Sequence, residues 1–250
     1  MKKLMIAAAL LAFALNVSAQ QKPAQKKQPA KAARKAAAVA VSTRTAAAQP
    51  AGRESDQTAQ VLEKLKAWDA ALETLKAGFT QEVNFREAGL KQSIEGTLSY
   101  VKPNLLRIEH LKPARQIVVT DKTDIWIYKP EDKQAVRTSW DAWRRTQDQN
   151  FSGILDFGNY SALTARNAAA TSGGKNGEPF KVTFTPRAGG SYTLTLTLSA
   201  TDYFPLEAEL LVDNTSIKTR LSSVEKNGRA DLEIFKFSPP KGVEVLEFKN

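Results

Sequence analysis

The sequence predicts a mainly β protein, in which one large antiparallel sheet curls toward a barrel and is partly covered by helices. Eleven short segments rich in Val, Ile, Thr, Tyr and Phe follow one another after Gly78. Turn residues, among them Gly189, Gly190, Asn227 and Gly228, separate most of these segments at the spacing of hairpins. A single amphipathic helical pattern precedes the first of them.

The first 53 residues differ in charge from the rest of the chain. They hold ten Lys and Arg and no Asp or Glu, whereas the whole chain has 36 basic and 26 acidic residues, so the remainder carries no net charge. Nucleic-acid binding depends on a clustered surplus of positive charge, and we therefore expect no nucleic-acid partner. The chain has no Cys and one His, which excludes disulfides, thiol nucleophiles and Cys/His zinc sites. We expect no metal and no cofactor.

Residues 1–19 have the pattern of a cleavable signal peptide. Lys2 and Lys3 precede an apolar run from Leu4 to Leu15, and small residues up to Ala19 complete the pattern. The run is too short for a permanent membrane-spanning helix, which needs about 20 residues. We expect export, cleavage after Ala19 and a soluble product.

Residues 20–54 form a basic segment of Ala, Lys, Gln and Pro. It has too few apolar side chains to offset the entropy of ordering, which predicts a disordered tether before a folded domain at 55–250. Its charge has two interpretations. It acts as a solubilising leader, or it is attracted to anionic lipid head groups by about 1 kcal/mol per basic residue near the surface.

A helix of about twenty residues is predicted from Ser55 to a stop at Gly78. Charged residues, Asp69 among them, fall on its other side. Its apolar residues recur at three- and four-residue steps: Val61, Leu65, Trp68, Leu72 and Leu75.

Eleven strands are predicted after this helix, with two short helices at 141–149 and 150–165 interrupting the series. The predicted strands are 79–85, 92–101, 105–111, 115–120, 124–130, 133–139, 180–186, 191–200, 206–213, 217–225 and 232–240.

Two of these strands predict that the sheet is covered on both faces. The segments 117–119 and 125–128 are apolar at every position, whereas 191–198 alternates Leu with Thr. A curled sheet of more than about eight strands is too wide for its own side chains to fill. The interior is therefore predicted to hold a cavity for an apolar ligand.

Four ordered segments carry a family resemblance: Phe79–Gln81, Gly96–His110, Ile117–Val136 and Phe235–Leu246. Together they resemble the LolA family, periplasmic carriers of outer-membrane lipoproteins, over about residues 57–248. The resemblance implies an incomplete antiparallel β-barrel of about eleven strands with an α-helical lid. It also implies a periplasmic, monomeric carrier that binds no ATP.

The resemblance further implies that the cavity takes the acyl chains of lipoproteins. An ATP-driven inner-membrane complex would load the carrier, and an acceptor at the outer membrane, a protein or the membrane itself, would unload it. A LolA-like module that senses lipids or envelope state without transport is the alternative. The chain contains no Gly-x-Ser-x-Gly, His-Glu-x-x-His or dinucleotide fingerprint, so we expect no enzyme.

Nine apolar residues are predicted to bind lipid in the cavity or on the lid. Ordinary core packing is the alternative for each, because the facing of strands that are apolar on both sides cannot be read from sequence. The strand residues are Leu98, Tyr100, Leu106, Ile108, Val118, Trp126 and Tyr128, and the lid residues are Leu155 and Phe157.

Lys102 is the candidate latch of the lid. It precedes Pro103 at the position where members of the family carry an Arg that ties the lid in the closed state. Lys keeps the charge but lacks the planar fork of donors. Lys102 is therefore either a latch or a solvated lysine in a turn.

Overall fold

The computed structural model of the protein describes residues 51–121, 123–142 and 160–248, with side chains from Asp56 onward. In these residues the sheet is a single twelve-stranded layer whose two end strands do not pair, so the barrel is incomplete, as predicted. Helices α1 (Ala51–Ala71) and α2 (Tyr160–Arg166) accompany it. The mainly β fold is confirmed.

The strands run through the sheet in the order β12-β6-β5-β4-β3-β2-β1-β11-β10-β9-β8-β7. Their bounds are β1 Thr74–Phe85, β2 Leu90–Val101, β3 Leu105–Lys112, β4 Gln116–Thr120, β5 Asp124–Lys129, β6 Gln134–Ser139, β7 Asn167–Gly173, β8 Phe180–Pro186, β9 Tyr192–Leu198, β10 Pro205–Val212, β11 Thr215–Lys226 and β12 Glu244–Phe248.

Strand β1 occupies the middle of the sheet. Phe79 on β1 lies opposite Gly96 of β2 on one side and opposite Leu221 of β11 on the other. Neighbouring strands are antiparallel except at one end, where β12 runs parallel to β6. The two halves of the chain therefore meet along β1.

Helix α1 covers one face of the sheet, which we call the inner face; the opposite side is the outer face. Val61 and Leu65 of the helix are buried in a cluster with Phe184 and Leu194 of β8 and β9. A second cluster joins Leu72, just after the helix, to inner-face residues of β1, β2 and β3. The core thus lies between α1 and the inner face.

Helix α1 ends seven residues before Gly78, earlier than predicted. The Asn227 side chain explains the end: its Nδ2 donates to the carbonyl oxygen of Ala71 at 3.1 Å, and its Oδ1 accepts from the N–H of Glu73 at 2.7 Å. Leu75 then lies on β1, because strands on both sides hydrogen-bond this segment. Tertiary pairing outweighs the helical spacing here.

The predicted strand at 232–240 is wrong. Leu232–Phe235 forms a 3₁₀ turn, in which the Asp231 side chain accepts from the N–H of Glu233 at 3.0 Å. This turn belongs to the crossing segment, residues 229–243, which runs over the outer face from β11 toward β12. Two strands that were not predicted, β7 and β12, complete the sheet.

Candidate functional site

Five of the predicted cavity residues share the inner face. The register places Leu98 opposite Ile108, and Tyr100 opposite Leu106, across β2 and β3. All four are buried in one apolar cluster, and Val118 of β4, opposite Ile108, packs against it half-buried. The structure therefore brings these five side chains together beneath the end of α1.

Trp126 and Tyr128 lie on the outer face, contrary to the prediction that they line the cavity with the other five. Ile127 pairs with Val118 and points inward, so its two neighbours on β5 point outward. Phe237 of the crossing segment covers them, with ring centroids 5.3 Å from Trp126 and 5.5 Å from Tyr128. Leu155 and Phe157, predicted on the lid, fall outside the described residues.

The inner face is filled by residues of the helix and its surroundings. The Trp68 ring packs against both apolar clusters, with its centroid 4.9 Å from that of Phe204 and 6.0 Å from that of Tyr160. Both contacts are edge-to-face, which aromatic pairs favour. Trp68 thus connects the apolar cluster of β1–β3 with that of β8–β11.

Lys102 contacts the end of α1. Its Nζ donates to the carbonyl oxygen of Ala70 at 2.7 Å and lies 3.7 Å from a carboxylate oxygen of Glu73. Its backbone N–H donates to the carbonyl oxygen of Glu73 at 2.8 Å. Helix C-termini have unpaired carbonyl groups and partial negative charge, so a lysine ammonium at Ala70 is favourable.

Asp69 makes a further polar contact of α1. The sequence analysis placed this residue on the solvent-facing side of the helix. The residue is 5% exposed, and a carboxylate oxygen accepts from the N–H of Tyr160 at 3.0 Å. Burial, followed by the Asp69 charge, raises the pKa of the Tyr160 hydroxyl. The sequence spacing indicates this burial, because Asp69 is four residues after Leu65 and so lies on the same side of the helix.

The outer face of β2 and β3 carries a polar cavity of about 290 Å³ beneath the crossing segment. Arg107 organises it: Nε donates to Glu109 at 2.7 Å and Nη1 donates to the carbonyl oxygen of Ile234 at 2.9 Å. A second cavity of about 270 Å³ lies between the same segment and β1, with Asp231 and Phe235 in its wall. Arg107 therefore holds the crossing segment against the sheet.

Within the described ranges, no cluster of His, Cys, Asp and Glu could hold a metal ion. No described helix has both the length and the apolar content needed to cross a membrane.

The family model described as outer membrane lipoprotein carrier protein LolA matches residues 70–238, from the last turn of α1 to the crossing segment. The chain belongs to the LolA family. The match includes eleven of the twelve described strands, β1 to β11, in full.

Two relatives of this LolA family member carry the name outer-membrane lipoprotein carrier protein. An outer-membrane lipoprotein carrier protein from Dechloromonas aromatica is 34% identical over 178 residues, which are 69% of this chain and 81% of the relative. A protein of the same name from Neisseria meningitidis is 27% identical over 193 residues, covering 75% and 87% of the two chains.

Solved structures also resemble this LolA family member. A LolA superfamily protein from Nitrosomonas europaea aligns with a TM-score of 0.41 and 13% identity, over 72% of this chain and 98% of that one. An uncharacterised conserved protein from Thermus thermophilus aligns with a TM-score of 0.49 and 12% identity, over 78% and 99% of the chains.

Proposed function

We propose that this protein is a periplasmic carrier that shelters the acyl chains of lipoproteins on the inner face, beneath α1, and takes them from the inner to the outer membrane. Relatives named as lipoprotein carriers support the proposal. A signal peptide at residues 1–19 would bring the chain to the periplasm. An ATP-driven inner-membrane complex would load it as a monomer, and an outer-membrane acceptor would unload it.

The observation that carries the proposal is the apolar inner face covered by α1, with Tyr160 and Leu163 of α2 buried in the same core. Leu98, Tyr100 and Ile108 are 4%, 3% and 6% exposed, and Trp68 with Leu72 covers them. Each methylene removed from water contributes about 0.8 kcal/mol, so a lipoprotein anchor cannot cross an aqueous compartment unprotected. Trp68 and Leu72 occupy the face that acyl chains would cover.

This arrangement suits a carrier that must also release its cargo. The apolar residues of the inner face are covered by α1 in the closed state and by acyl chains in the loaded state. Because they stay buried in both, the free-energy difference between the two states is smaller than the cost of exposing acyl chains to water. Single hydrogen bonds connect α1 to the rest of the fold, among them that from Lys102 to Ala70 and that from the N–H of Tyr160 on α2 to Asp69. The bond of the partly exposed Lys102 contributes about 0.5–1.5 kcal/mol and that of the buried Asp69 about 1.5–3 kcal/mol, which is small enough for cargo binding to break them.

Co-purification tests the proposal. The protein is expressed with its signal peptide in its native envelope, purified without detergent, and examined by mass spectrometry for triacylated peptides. It is then mixed with outer-membrane vesicles. We expect bound lipoprotein in the purified protein and its transfer to the vesicles.

A matched pair of variants links the result to the inner face. Val118→Asp places a charge on the inner face. Leu111→Asp is the control, because it introduces the same charge at a residue that is 50% exposed. We expect only Val118→Asp to lose bound lipoprotein while its circular dichroism stays that of a folded protein. Free phospholipid alone, or a stable protein partner with no lipid, would instead support the sensing module.

A further inference from the structure

Strand β7 lies at one end of the sheet, so one of its edges has no neighbouring strand among the described residues. Helix α1 contacts this open edge with two side chains. The Thr58 hydroxyl accepts from the N–H of Thr171 at 3.1 Å, and Nε2 of Gln57 donates to the carbonyl oxygen of Gly173 at 3.2 Å. Side chains of the helix therefore occupy two backbone groups that a further strand would otherwise pair.

The contact at Thr171 shows which residues of β7 present their backbone to the open edge. In an antiparallel pair, successive residues point their N–H and C=O groups alternately toward the partner strand and away from it. Because the N–H of Thr171 points away from β8, the backbone groups of Ala169 and Gly173 do so too. Ala170, between them, bonds to β8 and has an exposed side chain on the outer face. The open edge thus has the regular spacing that strand addition needs.

Strand β7 lacks the features that usually protect an open edge from another chain. Natural edge strands carry charged side chains, Pro or bulges. The seven residues Asn167–Gly173 include no charge and no Pro, and their register with β8 runs without a shift. Strand β12, at the other end of the sheet, carries Glu244 and Glu247 among its five residues. Helix α1 therefore supplies at β7 the protection that charged side chains supply at β12.

The strand that fits this edge best is β7 of a second copy of the chain. In an antiparallel two-fold pair, residues of one strand lie opposite residues of the same strand, so a charged strand would bring like charges together. β7 has no charged residue. Lys181 of β8 lies opposite Ser172, near one end of β7, so the two copies of this lysine would lie at opposite ends of the pair. The edge is therefore complementary to itself.

We propose that the open edge of β7 is a self-association surface, and that Gln57 and Thr58 cap it and keep the protein monomeric. Displacement of these two side chains would free the N–H of Thr171 and the carbonyl oxygen of Gly173. Two β7 strands would then pair and join their sheets into one antiparallel layer. This inference is independent of the proposed carrier function, because it concerns a backbone edge and not the inner face.

The test removes the cap and follows association of the mature full-length protein by sedimentation velocity. Gln57→Ala combined with Thr58→Ala deletes both contacts, and Gln60→Ala changes an exposed residue of the same helix as the matched control. We expect the natural protein and the control to stay monomeric. The double variant should dimerise with a Kd at least about 5-fold lower than theirs, the value of two hydrogen bonds.

Engineered cysteines identify the surface that associates. The chain contains no Cys, so a disulfide can form only at an introduced position. Ala170→Cys places a thiol at the middle of β7, where opposite residues of two antiparallel strands are close enough for a disulfide. Val245→Cys is the control on β12, at a residue that is 38% exposed. We expect several-fold more disulfide dimer from Ala170→Cys when the cap is removed, and none from Val245→Cys.

A second variant removes the cap if the double variant does not fold. Gln60→Pro interrupts the helix and so separates Gln57 and Thr58 from Val61 and Leu65, which stay in the core. A variant without the cap that is folded by circular dichroism and remains monomeric would overturn the proposal. Equal disulfide formation from Ala170→Cys with and without the cap, or association through Val245→Cys, would overturn it as well.

Discussion

Lys102 donates a hydrogen bond from Nζ to the carbonyl oxygen of Ala70 at 2.7 Å, and so joins the β2–β3 turn to the last turn of α1. The sequence left a latch and a solvated turn lysine as alternatives for this residue. The contact favours the latch, and its removal should act on the closed lid. A lid that closes less readily should hold its cargo longer.

Lys102→Met is expected to slow release of a bound lipopeptide to acceptor vesicles by about 2- to 10-fold, the value of one hydrogen bond, while uptake changes less. Stopped-flow fluorescence with a labelled lipopeptide measures both rates. Lys112→Met serves as the matched control, since Lys112 pairs with Glu95 on the surface, away from the helix. Equal release rates in the two variants would show that Lys102 is a solvated lysine in a turn and not a latch.

Asp69→Ala should reduce the free energy of unfolding by about 1–3 kcal/mol, because the buried N–H of Tyr160 loses its acceptor. Asp69→Asn keeps an acceptor oxygen and should lose less. Urea denaturation measures both against Asp56→Ala, a change at an exposed position of the same helix. Similar losses in Asp69→Ala and Asp56→Ala would show that the contact contributes nothing.

His110 should make the protein less stable in mild acid. Burial lowers its pKa from the ordinary value of 6.5, so below about pH 6.5 the unfolded chain binds a proton that the folded protein resists. The free energy of unfolding therefore falls as the pH drops through this range. Thermal unfolding at pH 7.5 and 5.5 should show a smaller drop in Tm for His110→Gln than for the natural protein. An identical drop in both would contradict this assignment.

Gly96→Ala should be strongly destabilising, by about 1–3 kcal/mol or more, as overpacked interiors are. An added Cβ would lie 2.3 Å from the carbonyl oxygen of Glu109 and 2.5 Å from the Phe79 ring. Gly78→Ala is a milder comparison, because there the contact at 2.8 Å is with the Ser222 hydroxyl, which can rotate. Chemical denaturation of the two variants checks the order, and a larger loss at Gly78 would contradict it.

Sequence patterns predicted strands best where only one face is apolar. In β9 the alternation of Leu and Thr sets the facing, and Leu194 and Leu196 are buried as the pattern requires. In β5 every position from Ile125 to Tyr128 is apolar, so only pairing with β4 could decide that Trp126 points outward. The two-residue period of a strand does not indicate which of two apolar faces lies under the helix.

The missed elements depend on partners that are distant in sequence. β7 consists of Asn, Ala, Thr, Ser and Gly, and Thr171 is its only residue typical of strands. It nevertheless pairs with β8, and Thr58 of α1 accepts from the N–H of Thr171.

The central position of β1 has a consequence for how the chain folds. Its partner β11 lies far along the sequence, with Phe79 opposite Leu221, so the middle of the sheet cannot assemble until nearly the whole polypeptide is available. Proteins dominated by such distant pairings fold slowly compared with those built from local contacts. The export that we propose for this chain would benefit from slow folding, because the polypeptide would stay unfolded for longer before it leaves the cytoplasm.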